Sequence, residues 1–314
     1  MSDEHYALPK KGRLLVTGHR GLLGRAVIRQ CADDYQIFTT NCDLRDAKFT
    51  KYIFEEHKPD FVIHCAARVG GVKANRDEPV EFLTQNLEIQ NSVFAAAHAV
   101  GVKKLVNVAT SCLFPREASV PVKEDSLLTG PFEPDVAAYA AAKLAGYFLC
   151  RAYRQQYGAN WVTVAPSNLY GWNDNYGPSA HVVPALIARL DAANANKIPL
   201  RVWGDGSAIR EFMYVDDAAD AIKLVLEKYD SAELINIGTG VGTSIKELVD
   251  ALVELTRFEH GVEWDTSQPT GIPRKTFDIS KLKRLGFIAR TSLRTGLRYT
   301  VEDYYNFPGD HRSK

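Results

Sequence analysis

The sequence of 314 residues lacks the features that mark a zinc protein or a membrane protein. Its five cysteines are scattered, and none forms a C-x-x-C pair or a Cys/His cluster with zinc-like spacing. An odd number of dispersed cysteines favours reduced thiols in a cytoplasmic protein. No uninterrupted apolar run is long enough to span a bilayer, and the polar start, residues 1–12, carries no apolar signal segment.

The sequence also lacks an excess of charge of either sign. Lysine and arginine together number 38, aspartate and glutamate number 38, and the formal net charge is zero. Nothing in this balance suggests nucleic acid or a membrane surface as a partner. Internal repeats and low-complexity linkers are absent too. The length is ample for a buried core, so we expect a soluble protein of one large domain or two fused domains.

What the first half does contain is a regular alternation of short apolar segments with helical stretches, which is typical of a doubly wound parallel sheet. The predicted strands are 13–17, 36–39, 61–64, 104–109 and 161–165. After Pro166 the rhythm changes to an irregular stretch, followed by a helix from His181. A strand-helix segment over 211–228 and a strand at 234–237 are expected to return to the main sheet, and a capped helix is expected at 244–255.

The first predicted strand runs directly into a glycine turn, residues 18–24, which has the sequence G-H-R-G-L-L-G and opens an apolar helix. The glycines let the backbone approach a pyrophosphate, and the helix dipole attracts its charge. An ordinary tight turn between strand and helix is the simpler alternative. The strand before the turn and the helix after it favour a dinucleotide site.

Tyr139 and Lys143 lie four residues apart on a helix predicted over 136–157, so their side chains stand on one face. An ammonium at this position is expected to lower the pKa of the tyrosine from its usual value of about 10. Such a tyrosine can exchange a proton at neutral pH, as carbonyl–alcohol redox chemistry requires. The pair alone can arise by chance, and its significance comes from the glycine turn upstream.

Thr110 begins the segment T-S-C at 110–112, just past a predicted strand, where open α/β sheets bind their ligands. An isolated segment of this kind is more often a polar loop cap. Beside a Tyr/Lys pair its hydroxyl completes a triad. Such a triad, together with the glycine turn, resembles that of the short-chain dehydrogenase/reductase family. The resemblance implies that Thr110 would hydrogen-bond the substrate carbonyl and that Tyr139 would transfer a proton. It also implies that Lys143 would lower the tyrosine pKa and hold the nicotinamide ribose.

The glycine spacing and the Tyr/Lys pair resemble the extended short-chain dehydrogenase/reductase family, in its sugar-nucleotide branch. Further motifs, in order from near Gly12 to near Thr300, resemble the GDP-L-fucose synthase family. They are A-A-R-V-G-G at 66–71, S-C-L-F-P at 111–115, P-S-N-L-Y-G at 166–171, H-V-V-P-A-L at 181–186, V-W-G-D-G at 202–206, R-E-F at 210–212, N-I-G-T-G-V at 236–241 and P-R-K at 273–275. Many ordered motifs are far more specific than any one of them.

The resemblance implies an enzyme that epimerises C3 and C5 of GDP-4-keto-6-deoxy-mannose and then reduces the C4 ketone with NADPH. Cys112 and His181 would serve as base and acid, with Cys112 preferred as the base. A thiol can act as a base only if its pKa falls toward neutrality, which local positive charge could achieve. Thr110 and Tyr139 would stabilise the enolate oxygen. Taken alone, Cys112 would be assigned as a buried thiol and His181 as a surface or helix-start residue.

The resemblance also implies the ligand contacts. The expected cofactor-binding residues are Gly18, Arg20, Gly21, Leu22, Gly24, Asp43, Ala66, Ala67, Val69, Tyr139, Lys143, Pro166, Asn168, Leu169 and His181. The expected substrate-binding residues are Asn168, Arg189, Trp203, Arg210 and Lys275, since arginines bind diphosphate oxygens in pairs. The loop 173–176 is expected to line the sugar pocket.

The cofactor choice rests on the end of the second predicted strand, F-T-T-N at 38–41, where no carboxylate would repel a 2′-phosphate. The family usually has an arginine near this point, and this chain lacks it. Arg20 is then the cation that could meet the phosphate, and Asp43 is expected near the adenine. These observations favour NADP(H).

We therefore expect a Rossmann dinucleotide-binding domain over 1–166, with a return segment at about 207–238. A smaller, interleaved α/β lobe over 167–206 and 239–314 would bind the substrate, and the tail from Pro308 would fray. Open alternatives are a GDP-heptose or dideoxy-sugar substrate, a C4-reductase without epimerase activity, and a non-enzymatic dinucleotide sensor. The family also implies a homodimer built on the Tyr139 helix and its neighbour. Apolar residues on those helices would permit it but also fit ordinary core packing, namely Phe94, Ala95, Ala96, Leu144 and Phe148.

Overall fold

The computed structural model describes residues 11–268 and 271–306. Its strands are β1 (Arg13–Thr17), β2 (Gln36–Thr39), β3 (Phe61–His64), β4 (Lys104–Val108), β5 (Asn160–Pro166), β6 (Asn168–Tyr170), β7 (Leu200–Trp203), β8 (Ile209–Arg210), β9 (Phe212–Tyr214), β10 (Ile235–Ile237), β11 (Thr243–Ser244), β12 (Val262–Asp265) and β13 (Arg274–Lys275). The expectations for the polar start and the frayed tail fall almost entirely outside the described residues.

The helices follow the predicted alternation with the strands. They are α1 (Leu22–Cys31), α2 (Ala47–His57), α3 (Val72–Asp77), α4 (Pro79–Ala99), α5 (Ala137–Tyr157), α6 (Val182–Asn196), α7 (Val215–Lys228), α8 (Ile245–Thr256), α9 (Ser280–Arg284) and α10 (Leu293–Asn306). The helix carrying Tyr139 ends at Gly158, which adopts a left-handed φ of 68° at its C-cap. Ser244 and Glu247 form a reciprocal capping box at the start of α8, as the predicted capped helix requires.

The central sheet has six parallel strands in the order β10-β5-β4-β3-β1-β2. The chain moves outward from β1 to β2 and then returns to the other side of β1 to form β3. This reversal opens a crevice at the carboxyl ends of β1 and β3, where such sheets bind ligands. The predicted strands of the first half and the predicted return strand at 234–237 are confirmed. The strand of the 211–228 segment does not return to this sheet as expected, because β9 pairs with β6 in a separate two-stranded sheet.

Successive residues of each strand face opposite helical layers, because side chains alternate along a strand. Leu14 of β1 packs in one core cluster, with residues of α1 and α7. Leu15, the next residue, packs in another, with residues of α2, α4 and α5. Both faces of the sheet are therefore covered, which confirms the doubly wound α/β class.

A separate core lies among α6, α8, α10 and the strand pair β7–β12. Leu186, Leu200, Leu248 and Leu297 contribute fully or almost fully buried side chains to it. This smaller cluster is built from chain segments that alternate with the returning strand β10. The division of the chain into two domains at residue 166 stays a prediction.

Of the apolar residues expected at a dimer interface, only some are available on the surface. Phe94, Ala96 and Leu144 are buried in the core, whereas Ala95 is exposed and the Phe148 side chain is 44% exposed. Within the described part of the chain, no helix is both long and apolar enough to cross a membrane.

Candidate active site

The glycine turn after β1 is packed so closely that a side chain is excluded at Gly18 and at Gly24. A Cβ on Gly18 would lie 2.7 Å from the Ala66 nitrogen, and Gly18 has a left-handed φ of 72°. A Cβ on Gly24 would lie only 2.2 Å from the Gly18 carbonyl oxygen. Gly21 is the N-cap of α1 and donates its N–H to the Gly18 carbonyl at 3.0 Å. The turn thus leaves a side-chain-free cradle at the positive end of a helix, which suits a pyrophosphate.

The end of β2 faces this turn. The Asn41 side chain hydrogen-bonds the His19 side chain, and the burial of His19 and the charge of Arg20 lower the pKa of the imidazole. Arg20 is exposed. Asp43 is paired with Arg45 at 2.5 Å, and this hydrogen-bonded ion pair holds the pKa of Asp43 below its ordinary value. The D-x-R spacing was visible in the sequence, but this ion pair was not predicted.

Thr110, Cys112 and Tyr139 meet at the carboxyl end of β4. Thr110 caps a 3-10 turn, Ser111–Leu113, and its hydroxyl accepts the Cys112 N–H at 3.3 Å. The Thr110 hydroxyl also hydrogen-bonds the Tyr139 side chain. Phe82 packs edge-on against the Tyr139 ring, with centroids 6.1 Å apart. The structure therefore brings these three predicted catalytic residues together.

The expected effect of Lys143 on Tyr139 is wrong for this geometry. Burial, followed by the influence of Cys112, raises the pKa of Tyr139 above its ordinary value. The Lys143 ammonium is directed at the backbone instead and donates to the Val108 carbonyl at 2.8 Å. Burial lowers the pKa of Lys143 to about 8. Helical spacing set the two residues on one face but could not reveal the carbonyl that receives the lysine.

His181 is the N-cap of α6, and its side chain makes no capping hydrogen bond there. The residue is exposed, yet the surrounding protein lowers the pKa of its imidazole. Its loop is fixed to the loop after β3, because the Gly71 N–H donates to the Ser179 carbonyl at 3.1 Å. That same β3 loop contains Ala66 and the cofactor-binding positions predicted beside it, so His181 lies on a loop joined to the cofactor side of the crevice.

Arg210 and Lys275 are direct neighbours across the parallel strands β8 and β13. Burial lowers the pKa of both side chains, and the charge of Arg210 lowers that of Lys275 further. Cys112 and Glu133 act on the Lys275 pKa in the opposite direction, which places both close enough to interact with it. Two cations predicted from separate motifs thus form one site beside Cys112.

Glu211, the middle residue of the R-E-F motif, was not predicted as a site residue. It is 1% exposed, and its carboxylate accepts the backbone N–H groups of Thr239, Gly240 and Phe277 at 2.6, 3.0 and 2.7 Å. Burial nevertheless raises its pKa. Asn168 donates its side-chain amide to the Glu211 carbonyl at 2.9 Å. A glutamate directly before the buried strand β9 was the available signal.

The remaining predicted residues fall into two groups. Pro166 ends β5, Leu169 lies in β6, and the Val69 side chain in the β3 loop is 58% exposed. Arg189 donates to the Arg201 carbonyl of β7, and Trp203 ends that strand with its side chain 65% exposed. Arg189 and Trp203 therefore form a second group, on the smaller core.

The fold and site define a class of protein. The chain matches the model of the NAD-dependent epimerase/dehydratase family over residues 14–238, and it belongs to that family. It is 42% identical to GDP-L-fucose synthase 1 of Arabidopsis thaliana, with 94% of each chain covered.

Two solved structures are similar to this chain over nearly its whole length. A GDP-L-fucose synthetase from Naegleria fowleri bound to NADP is similar with a TM-score of 0.88, 28% identity and 99% of both chains covered. A GDP-6-OMe-4-keto-L-xylo-heptose reductase from Campylobacter jejuni is similar with a TM-score of 0.90 and 27% identity. That comparison covers 96% of this chain and 99% of the reductase.

Proposed function

We propose that this chain catalyses the NADPH-dependent 3,5-epimerisation and 4-reduction of a GDP-4-keto-6-deoxy sugar, giving GDP-L-fucose or a close relative. The observation that carries the proposal is the meeting of Thr110, Cys112 and Tyr139 beside the Arg210–Lys275 pair. The extensive similarity to a GDP-L-fucose synthase supports the same assignment.

Epimerisation requires a base and an acid on opposite faces of the sugar ring. The hydrogens on C3 and C5 are acidic because both carbons flank the ketone. Cys112 would remove such a proton, leaving an enolate whose oxygen accepts hydrogen bonds from Thr110 and Tyr139. His181 would return a proton from the other face. Lys275 would place a positive charge near this proposed base.

Reduction uses the same carbonyl site. NADPH supplies a hydride to C4 when it is bound. Tyr139 donates a proton to the developing alkoxide, and Thr110 orients that oxygen. A tyrosine whose pKa is raised by burial is a competent proton donor at neutral pH, because it stays protonated until the substrate oxygen gains charge. Lys143, buried and fixed by Val108, would present its remaining N–H donors to the nicotinamide ribose.

The residues present fit NADP(H). Gly18, Gly21 and Gly24 form the pyrophosphate cradle described above. Arg20 offers a cation near the end of β2, and Asp43 is neutralised by Arg45 rather than free to repel a 2′-phosphate. The similar Naegleria protein is described with NADP bound.

The pyrophosphate of the GDP carrier would bind the paired cations Arg210 and Lys275. An anion between them offsets both their mutual repulsion and their loss of hydration. Arg189 and the exposed indole of Trp203 would contact the nucleoside portion, on the smaller core. Asn168, held by the Glu211 carbonyl, would contact the ligands from β6.

The test is incubation with NADPH and GDP-4-keto-6-deoxy-mannose in deuterated water, with NADPH absorbance and product NMR followed together. We expect deuterium at C3 and C5 of GDP-fucose in the wild type and loss of that label in Cys112→Ser. Cys42→Ser, which changes a partly buried thiol outside the predicted acid–base pair, is the matched control. Label retained in Cys112→Ser would contradict the role of this thiol.

A second candidate is a C4-reductase of a GDP-heptose that does not epimerise. The similarity to the Campylobacter jejuni reductase favours it, since that chain has a closely similar fold. Reduced product without deuterium would establish this activity. NADPH left unconsumed with the deoxy-mannose substrate, but consumed with a GDP-4-keto-heptose, would identify the heptose as the substrate.

We also propose a homodimer and a cytoplasmic location, without nucleic-acid partners. The exposed Phe148 and Ala95 on α5 and α4 offer a small apolar surface for a second copy. The balanced net charge offers no electrostatic attraction for a polyanion. Mass measurement in solution, with Phe148→Asp as the variant, would test the dimer.

A further inference from the structure

A row of buried polar residues crosses the carboxyl end of the central sheet. The strand register aligns Thr17 with His64, His64 with Asn107, and Asn107 with Thr163. All four are 3% exposed or less. Central strands of a parallel sheet are normally apolar on both faces, since helices cover both. The presence of four buried polar residues in these strands therefore requires a specific structural explanation.

These side chains point toward α4 and α5. The His64 ring packs edge-on against Phe94 of α4, with centroids 6.2 Å apart. The Asn107 Nδ2 atom lies 3.1 Å from where a Cβ on Gly146 of α5 would stand. Direct partners across a sheet share one face, so His64 and Asn107 line the same buried space.

Gln90 of α4 enters that space through a gap that a glycine leaves. Its Nε2 donates to the Ala142 carbonyl of α5 at 3.0 Å and to the Asn86 carbonyl at 2.8 Å. Its Oε1 lies only 1.8 Å from the position of a Cβ on Gly146. Any larger residue at 146 would displace the amide. Gly146 thus admits Gln90 to the interface between the two helices and the sheet.

Three polar atoms in this space lack a partner among the described residues: His64 Nε2, Asn107 Oδ1 and Gln90 Oε1. Buried polar atoms are rarely left unpaired, and an internal water is a usual partner. The protonation of His64 can be assigned. Thr17 Oγ1 accepts the Ala66 N–H at 3.4 Å and lies 2.8 Å from His64 Nδ1. Among these two partners only Nδ1 can accept the Thr17 hydroxyl hydrogen, so we assign that hydrogen to Nδ1.

The His64 ring is neutral, because burial lowers its pKa to about 3. Its single proton is then on Nε2. The space therefore presents one donor, His64 Nε2–H, and two acceptors, Asn107 Oδ1 and Gln90 Oε1. A water molecule that accepts one hydrogen bond and donates two matches this set in number and sign.

The space lies directly behind Lys143. Lys143 is one turn before Gly146 on α5, and the Val108 carbonyl that holds its ammonium follows Asn107 in β4. The titratable groups that face Lys143 are His64 and Cys65, at the end of β3, and Tyr139 on its own helix. Burial lowers the pKa of the first and raises that of Cys65 to about 12, so both are uncharged at neutral pH.

We propose that His64, Asn107 and Gln90 bind one internal water and that this water site positions Lys143. The three act as positioning residues, since none of them is placed against substrate or cofactor. The site fixes the spacing of α4, α5 and β4 around the ammonium and adds a polar neighbour to its surroundings. The positioning role rests on the proposed function, whereas the water site itself does not.

A crystal structure of the wild type tests the site directly. We expect one water within hydrogen-bonding distance of His64 Nε2, Asn107 Oδ1 and Gln90 Oε1, and its loss in Gln90→Met, which keeps the length of the side chain. A dry space, or amides of Asn107 and Gln90 turned to pair with each other, would overturn the proposal.

The pH dependence of NADPH affinity tests the positioning role. Loss of a polar neighbour disfavours the charged lysine, so the midpoint at which affinity falls should move down by roughly half a pH unit or more in Gln90→Met. Asn107→Val should move this midpoint in the same direction, and it provides the test if Gln90→Met folds poorly. Gln156→Met, at an exposed site on α5, should leave it in place.

An unchanged midpoint in both folded variants would refute the positioning role. A wild type that binds no NADPH at any pH would instead contradict the proposed function. The electron density would still decide whether the water site exists, so the two failures are distinguishable.

Discussion

Lys275 lies directly beside Arg210 in the parallel pairing of β13 with β8. Neighbouring partners in a sheet project to the same side, so two positive charges occupy adjacent positions. Burial and mutual repulsion lower the pKa of Lys275, and burial lowers that of Arg210. Such a pair is costly when unoccupied by an anion and is correspondingly well suited to bind one.

Replacing Lys275 by Met should therefore weaken binding of GDP by about 10- to 100-fold, or about 1.5–3 kcal/mol, while leaving NADPH affinity unchanged. Calorimetric titration with each nucleotide would measure this. Lys246→Met, at an exposed lysine paired with Asp250 at 2.6 Å, is the control and should bind GDP as the wild type does. Equal GDP affinity in Lys275→Met would remove these cations from the nucleotide site.

The Arg210–Lys275 pair shows which part of the site the sequence could predict. Arg210 and Lys275 come from motifs distant in the chain, and each was identified only as a substrate contact. Their adjacency depends on the register of β8 with β13, which no local pattern specifies. By contrast, the helix carrying Tyr139 and Lys143 was predicted closely, because helical propensity and spacing are local properties.

The pKa of Tyr139 illustrates a different limit. Spacing on a helix correctly placed Lys143 on the same face, but the sign of the pKa shift depends on burial and on the Val108 carbonyl that receives the ammonium. Both are consequences of how α5 packs on β4. Glu211 was missed for the same reason, since its three backbone partners come from segments far along the chain.

The glycine turn gives a prediction in which two neighbouring glycines behave differently. Gly21 has a φ of −77°, and a Cβ there would lie 3.4 Å from its nearest neighbour, so Gly21→Ala should fold normally. Its methyl group would project where the pyrophosphate is proposed to bind and should weaken NADPH binding by roughly 10-fold or more.

Gly24→Ala should instead reduce stability, since its Cβ would overlap the Gly18 carbonyl oxygen at 2.2 Å. We expect a loss of about 1–3 kcal/mol in the free energy of unfolding, typical of overpacking. Thermal unfolding and NADPH fluorescence titration, run on both variants, would separate the two effects. Unaltered NADPH affinity in Gly21→Ala would contradict the assignment of the cradle.

His64 gives a prediction for acid stability. Its pKa falls from 6.5 to about 3 on burial, so the unfolded chain binds a proton more readily than the folded one between these values. Stability should therefore be fully present above about pH 6.5 and decline as the pH falls toward about 3. His64→Gln, which cannot take up this proton, should lose less stability over that range.

Urea unfolding at neutral pH and at about pH 4.5 would measure the difference for both proteins. His98→Gln, at an exposed histidine on α4, is the control and should show the same acid sensitivity as the wild type. An identical pH dependence in His64→Gln would mean that other groups determine the acid sensitivity.

Loss of the Glu211 carboxylate should lower the stability of the protein and also weaken GDP binding at the substrate site. An amide oxygen cannot accept the three backbone N–H groups of Thr239, Gly240 and Phe277 as a carboxylate does, so Glu211→Gln should lose about 1–3 kcal/mol of stability. These bonds tie the segment just after β13 and the loop after β10 to the residue next to Arg210. GDP affinity should therefore fall as well. Glu263→Gln, at an exposed site on β12, should change neither. Thermal unfolding and GDP titration of both variants would measure the two effects. A Glu211→Gln protein of wild-type stability would show that the three hydrogen bonds do not hold this region together.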